Sequence, residues 1–180
     1  MSVNVPLDAN REPILHESES LLRISSKVKF EIESGGGYPG SGGSYYGKGK
    51  LFLSPSRITF VVDSRNVTFD SFEMPLAQLN SARLKKKFFG SSTIRGSMNP
   101  TVDGNLIGKG KYKFTFKDGS AEEFYLGLRE ALLHLSETGF RATVSNGCRH
   151  EEEPPLVAFI DPEDPFQVHI NVVESPKEAG

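Results

Sequence analysis

The stretch GKYKFTFKDGSAEEFYLGLREALLHLSETG, residues 110–139, changes its hydrophobic period halfway along, and that change decides the fold. Tyr112, Phe114 and Phe116 alternate with Lys111, Lys113 and Thr115, the period of a half-buried strand. Asp118-Gly119 then supplies a turn. From Ala121 onward Phe124, Leu128, Ala131, Leu132 and Leu135 recur at helical spacing, one apolar stripe of an amphipathic helix. Ser120 followed by Glu123 has the capping-box pattern, and Gly139 is a C-terminal stop.

Upstream the period is that of strands. In LLRISSKVKFEIE, residues 21–33, Val28, Phe30 and Ile32 share one face, with Lys27, Lys29, Glu31 and Glu33 on the other. A glycine-rich loop, residues 35–47, separates this strand from KGKLFLS and RITFVVD. Those two form a hairpin around Pro55 and Ser56, with Leu51, Leu53, Ile58, Phe60 and Val62 apolar. Residues 68–76, 79–90 and 91–98 are further short strands. About seven antiparallel strands followed by one helix predict an α+β roll or partly open barrel, capped by that C-terminal helix. Residues 1–17 lack periodicity and are expected to form a mobile arm, 18–140 the domain, and 141–180 an acidic tail.

In these 180 residues no apolar run approaches the roughly 20 needed to span a bilayer, and MSVNVPLDANREP has no signal-peptide pattern. The lone Cys148 excludes an internal disulfide or a cysteine-rich zinc site. A cytoplasmic or nuclear location is expected on these grounds.

Charge is strongly segregated. Residues 80–117 hold nine basic side chains against Asp103 alone, a balance of +8, whereas residues 150–180 hold eight acidic ones against Lys177, a balance of -7. Lys85, Lys86 and Lys87 run into Phe88 and Phe89, a cluster that reads first as a solvated strand edge and also suits an anionic surface. No helix or aromatic platform points to base readout, so direct nucleic-acid contact is not expected.

The ordered series of the glycine-rich loop, LFLSPSRITFVV (51–62), SFEMPLAQL (71–79), KKKFFGSSTIRGSM (85–98) and GKYKFTFKDGSAEEF (110–124) resembles the GRAM domain of the WW-domain-binding protein 2 family, over roughly residues 17–140. The resemblance implies a pleckstrin-homology-like fold and non-enzymatic adaptor work with protein partners, including transcriptional coactivation. It implies as the alternative a peripheral membrane module that binds phosphoinositide or other acidic lipid. Lys27, Lys29, Lys48, Lys50 and Arg57 are the basic residues near the first loop on that reading. The candidate anionic-ligand surface is Lys48, Lys50, Arg57, Lys85, Lys86, Lys87 and Arg95. Better-known members carry PPxY motifs that dock WW domains; here the tail has Pro154-Pro155-Leu156-Val157, and no tyrosine follows Tyr125. A WW-domain partner is therefore not expected for these residues.

Catalytic and nucleotide motifs do not hold up. Gly42 to Lys48 spells GxxxxGK, but Gly49 stands where a phosphate loop needs Ser or Thr, and a strand follows in place of a helix. Gly35, Gly37 and Gly40 spell GxGxxG without opening a helix. His16, His134, His150 and His169 are scattered, so no triad or metal spacing emerges and neither an enzyme nor a cofactor is expected. In the tail, Val168, Ile170 and Val172 alternate with Gln167, His169 and Asn171, the pattern of a β-hairpin or else of a short linear motif in a disordered stretch, with Phe166, Val168, Ile170 and Val172 as candidate partner-binding residues.

Overall fold

A computed structural model describes residues 2–17, 19–34, 43–63, 69–87, 90–100, 108–138, 156–162, 164 and 166–172. Its strands are β1 (Ser2–Val3), β2 (Arg23–Ser34), β3 (Ser44–Leu53), β4 (Arg57–Val62), β5 (Ser71–Pro75), β6 (Leu79–Lys85), β7 (Ser92–Met98) and β8 (Gly110–Phe116). Helix α1 (Ala121–Thr138) follows, then β9 (Leu156–Ile160) and β10 (Gln167–Val172). They form one antiparallel sheet in the order β1-β5-β4-β3-β2-β8-β7-β6-β10-β9. Among the described residues the sheet thus has ten strands where about seven were expected. β2 to β8 are the periodic ones; β1, β9 and β10 come from the two ends of the chain.

Alternation explains which face each strand buries. Val28, Phe30 and Ile32 on β2, Leu51 and Leu53 on β3, Phe60 on β4 and Phe114 on β8 are all at most 1% exposed. Phe30 is the hub: its ring stacks on Phe60 at 4.6 Å and lies 5.1 Å from Phe72 and 5.9 Å from both Phe69 and Phe114. β2 bends where its register with β3 shifts between Ser25 and Val28, and Lys27 sits there at φ 55°. This is a bulge that turns the strand around the core.

Helix α1 lays Phe124, Leu128, Leu132 and Leu135 on that core, with Phe124 5.5 Å from Phe116. Its start differs from the capping box. The Ser120 N–H donates to Asp118 Oδ1 at 3.1 Å, and the Ser120 hydroxyl lies 2.9 Å from that of Ser25. Asp118 in the turn takes the part assigned to Glu123, because it is already held two residues away. The expected stop at Gly139 lies outside the described residues.

The arm expected to be mobile is laid on the sheet. Ser2 pairs with Glu73 and Val3 with Phe72. Arg11 donates to the Val62 carbonyl at 3.1 Å. Pro13, Leu15 and Leu21 lie against Phe52 and Thr59, which alternation points away from the core and which are nonetheless only 2% exposed. Glu19 fastens this cover. Arg57 Nε and Nη2 reach its two oxygens at 2.8 and 2.6 Å, and the Ser54 hydroxyl and the His16 N–H donate to it as well. Burial alone would raise the Glu19 carboxyl, but these hydrogen bonds and the Arg57 charge outweigh it and lower the group from 4.5 to about 2.

The tail hairpin joins the opposite side. β10 pairs with β6 through Gln167↔Arg83, Val168↔Ala82 and His169↔Ser81, and β9 pairs with β10. Val168 is fully buried and Ile170 is 6% exposed.

Leu132→Asp and Val168→Asp each place an unpaired charge in this core and are expected to cost about 4 kcal/mol or more. Phe159→Asp, on a half-exposed side chain, should leave the thermal melt nearly unchanged. A Val168→Asp melt like the parent's would remove the tail from the core. Because the Glu19 group is lowered on folding, its contribution is complete above about pH 4.5 and is lost as pH falls toward 2. Glu19→Gln should therefore cost about 2 kcal/mol at pH 7, and the difference from the parent in acid-dependent melts should shrink below pH 4.

Candidate functional site

The register of five strands sets the outer face of the sheet. One row reads Glu31–Lys113–Arg95–Arg83–Gln167 across β2, β8, β7, β6 and β10. The next reads Glu33–Lys111–Ser97–Ser81–His169. A third carries Lys48–Lys29–Thr115–Thr93–Lys85. The first two rows flank a groove of about 430 Å³, with Gly96 and Tyr112 at its floor.

Two features define its electrostatics. Arg83 lies directly opposite Arg95, and Arg95 opposite Lys113, so three like charges adjoin on neighbouring strands. Such pairs are unfavourable by a few tenths to about 1 kcal/mol each. Carboxylates relieve only the ends of the row: Lys113 Nζ meets Glu31 Oε2 at 2.8 Å, and Arg83 Nη2 meets Asp164 Oδ2 at 2.7 Å. Hydrogen bonds from Lys113 and Lys29 hold the Glu31 carboxyl below the usual carboxylate range, against a smaller effect of burial. Among the described residues, Arg95 and Lys111 are in none of the ion pairs.

The floor is tightly built. Tyr112 Oη donates to the Ser81 carbonyl at 2.7 Å, and burial pushes its phenol well up. A Cβ on Gly96 would lie 1.8 Å from that carbonyl oxygen and 2.6 Å from Tyr112 Oη, so only glycine lets the ring pass under β7. On β10, where Gln167 lines the groove, His169 stacks on Phe159 at 5.4 Å with its Nε2 3.2 Å from Asp161 Oδ2.

The cations singled out in the sequence divide. Arg95 stands in the groove, and Lys85 is exposed in the third row on the same face. Lys48 is exposed beside Lys29, Lys50 lies further along β3, and Lys87 follows β6. Lys86 is tied to Glu122 at 2.6 Å and sits 5.0 Å above the Phe166 ring. Arg57 is a correction: Glu19 and Glu73 both pair with it and its side chain is 12% exposed, so it has no charge to offer a ligand. Two of the tail residues are also turned inward. Val168 and Ile170 pack into the chain's own core, Phe166 stays half-exposed at 44%, and Val172 pairs with Leu156. Phe88, Phe89 and the loop at 35–42 lie outside the described residues. The residues passed over as a site were Arg83, Lys111 and Lys113. Their signal was present, since Lys111 and Lys113 flank the inward Tyr112 and must face out together.

Two substitutions test the floor. Gly96→Ala should destabilise by about 2–3 kcal/mol through overpacking, more than Tyr112→Phe, which loses one hydrogen bond at about 1 kcal/mol. Chemical denaturation reads both; equal costs would mean the ring does not need the space above Gly96.

No family model matches the chain. WW domain-binding protein 2 of Mus musculus is 29% identical over 115 residues, covering 64% of this chain and 42% of that protein. The postacrosomal sheath WW domain-binding protein of Macaca fascicularis is 30% identical over 128 residues, covering 69% of this chain and 49% of that protein. The chain thus spans less than half the length of these curated relatives. Among solved structures, the N-terminal PH domain of Vps36 matches 75% of this chain and 93% of its own with a TM-score of 0.54; its 16% identity speaks to the fold alone. Similar sequence and similar fold together make this chain a WW domain-binding protein 2-like protein of the pleckstrin-homology/GRAM type.

Proposed function

We propose that this chain is a non-enzymatic adaptor that engages a protein partner through the charged outer face of its sheet. The observation that carries this reading is the outward row Arg83–Arg95–Lys113, like charges held opposite one another with the central one unneutralised among the described residues. A sheet face gains nothing internally from that arrangement, whereas an acidic partner surface would relieve it. The relatives' names, as binding proteins, support the same class of work. Transcriptional coactivation and a nuclear or cytoplasmic setting accompany this reading by resemblance alone.

A second reading, a peripheral membrane module for phosphoinositide or another acidic lipid, is favoured by one observation: Lys48, Lys85 and Lys87 are exposed, the first two in a row with Lys29 on the same face. Each cation near an acidic leaflet would contribute roughly 1 kcal/mol, screened over about 8 Å at physiological ionic strength.

The test is capture by crosslinking from cell lysate with the full chain and with a folded Lys85→Glu, Arg95→Glu variant, beside co-sedimentation with anionic vesicles over a salt series. Partner proteins lost with the variant, and vesicle binding no stronger than for the variant, are expected. Vesicle binding alone that depends on these residues would replace the adaptor reading with the membrane one. Isothermal titration with a PPxY-selective WW domain should give no heat, since these 180 residues contain no PPxY. Micromolar binding would show a different ligand for that domain here.

A further inference from the structure

We infer that the groove between Arg95 and Lys111 takes a phosphorylated side chain, a phosphoserine or phosphothreonine of a partner protein. This rests on the adaptor reading and narrows it.

The groove is lined by Arg83, Arg95, Lys111 and Lys113 against Glu31 and Glu33, which leaves +2. Glu31 is spent on Lys113, and Asp164, outside the lining, on Arg83. With Asp164 counted the balance is +1, and Arg95 and Lys111, on adjacent strands, are the lining cations in none of the ion pairs among the described residues, with Glu33 opposite Lys111. A phosphomonoester brings three acceptor oxygens and about -1.5 to -2 at pH 7 in one compact group, enough to meet both of these cations at once.

Spacing agrees. Arg95 is opposite Lys113 and Ser97 is opposite Lys111, so Arg95 and Lys111 are diagonal neighbours, roughly 7–8 Å apart at their stems. A phosphoryl group with charge-assisted contacts of about 2.7–2.9 Å on either side spans that gap, with the Arg95 guanidinium able to grip two oxygens. The floor adds a donor. Ser81 Oγ and Ser97 Oγ lie 3.1 Å apart, and one hydroxyl proton joins them. The second hydroxyl proton is given no acceptor among the described residues.

The rims argue against a lipid plane as the occupant. Glu31 and Glu33 stand on one side of the cations, and Asp161 and Asp164 on the other, about 10 Å of cationic width between them at the usual strand spacing. A flat anionic surface would meet both carboxylate rims, whereas one phosphorylated side chain enters between them.

The test uses the full chain, labelled with nitrogen-15, and a peptide of one phosphoserine flanked by two glycines on each side, with the unphosphorylated peptide as reference. Saturable shifts centred on the Arg95, Ser97 and Lys111 amides are expected, with affinity roughly ten- to a hundredfold above the serine peptide. Arg95→Gln with Lys111→Gln should abolish that discrimination, and Lys50→Gln on β3 should keep it. A melt shows that each variant is folded, and Lys111→Gln alone gives the same readout should the double variant fail. Equal response to both peptides, shifts centred elsewhere, or discrimination retained in the double variant would overturn the inference. So would binding to phosphatidylserine vesicles that needs Arg95 and Lys111 in a chain indifferent to the peptide. Phosphatase treatment of the lysate separates the two readings: Arg95-dependent capture that survives it sinks the phosphate site and leaves the adaptor, while no Arg95-dependent capture at all sinks the adaptor.

Discussion

Strand β2 is bonded along most of its length on both edges, to β3 through nine residue pairs and to β8 through seven, and the rest of the molecule is arranged around that double pairing. Its inward side chains are Val28, Phe30 and Ile32, and Phe30 touches rings from β4, β5 and β8 as well as Phe69. Once that aromatic contact is made the register is fixed, because a slip of one residue would turn every inward ring outward. The outward residues are then fixed too. Glu31 must stand beside Lys113, and Lys113 beside Arg95, because Phe30, Phe114 and Ile94 are buried beneath them. The charged face is the reverse side of the core's register.

That outer face is divided in two. Over β4 and the Phe52 end of β3 it is largely apolar, with Phe52, Thr59 and Val61 pointing away from the main core, and such a patch must be covered. Pro13, Leu15 and Leu21 of the N-terminal arm lie over it, and the Glu19–Arg57 pair fixes the cover with hydrogen bonds that also satisfy Ser54 and the Ile14 carbonyl. Over β8, β7 and β6 the face is charged and stays open. Arg57 belongs to the covered half, which is why a cation that looked available in the sequence is consumed internally.

The parts that could be read in the sequence are those where one strand or helix carries its own signal. Residues 28–32 and 112–116 alternate, residues 124–135 keep the helical stripe, and Pro55-Ser56 marks the hairpin between β3 and β4. Features that depend on pairing distant segments were not legible. β1 has two residues and therefore no period, and Glu19 meets Arg57 across 38 positions. The groove needs three registers at once before Arg83, Arg95 and Lys113 fall into line, and composition saw them only as a basic block. Ser120–Glu123 failed in the other direction: the local pattern is correct, but Asp118 and Ser25 compete for the same groups and win by proximity.

The tail links the stability of the fold to the charged face. β10 adds to β6 and so closes an edge that would otherwise offer unpaired backbone groups to other chains. The same strand brings Gln167 to the groove wall, and Asp164 just before it neutralises Arg83. Val168, fully buried, anchors this arrangement, so the acidic tail is held chiefly by apolar packing, with charge as a secondary contribution. High salt should therefore weaken the Arg83–Asp164 contact far more than it loosens the hairpin. The acidic end of the chain trims the basic face at its margin and leaves Arg95 uncompensated at the centre, so the face keeps a concentrated charge of limited width.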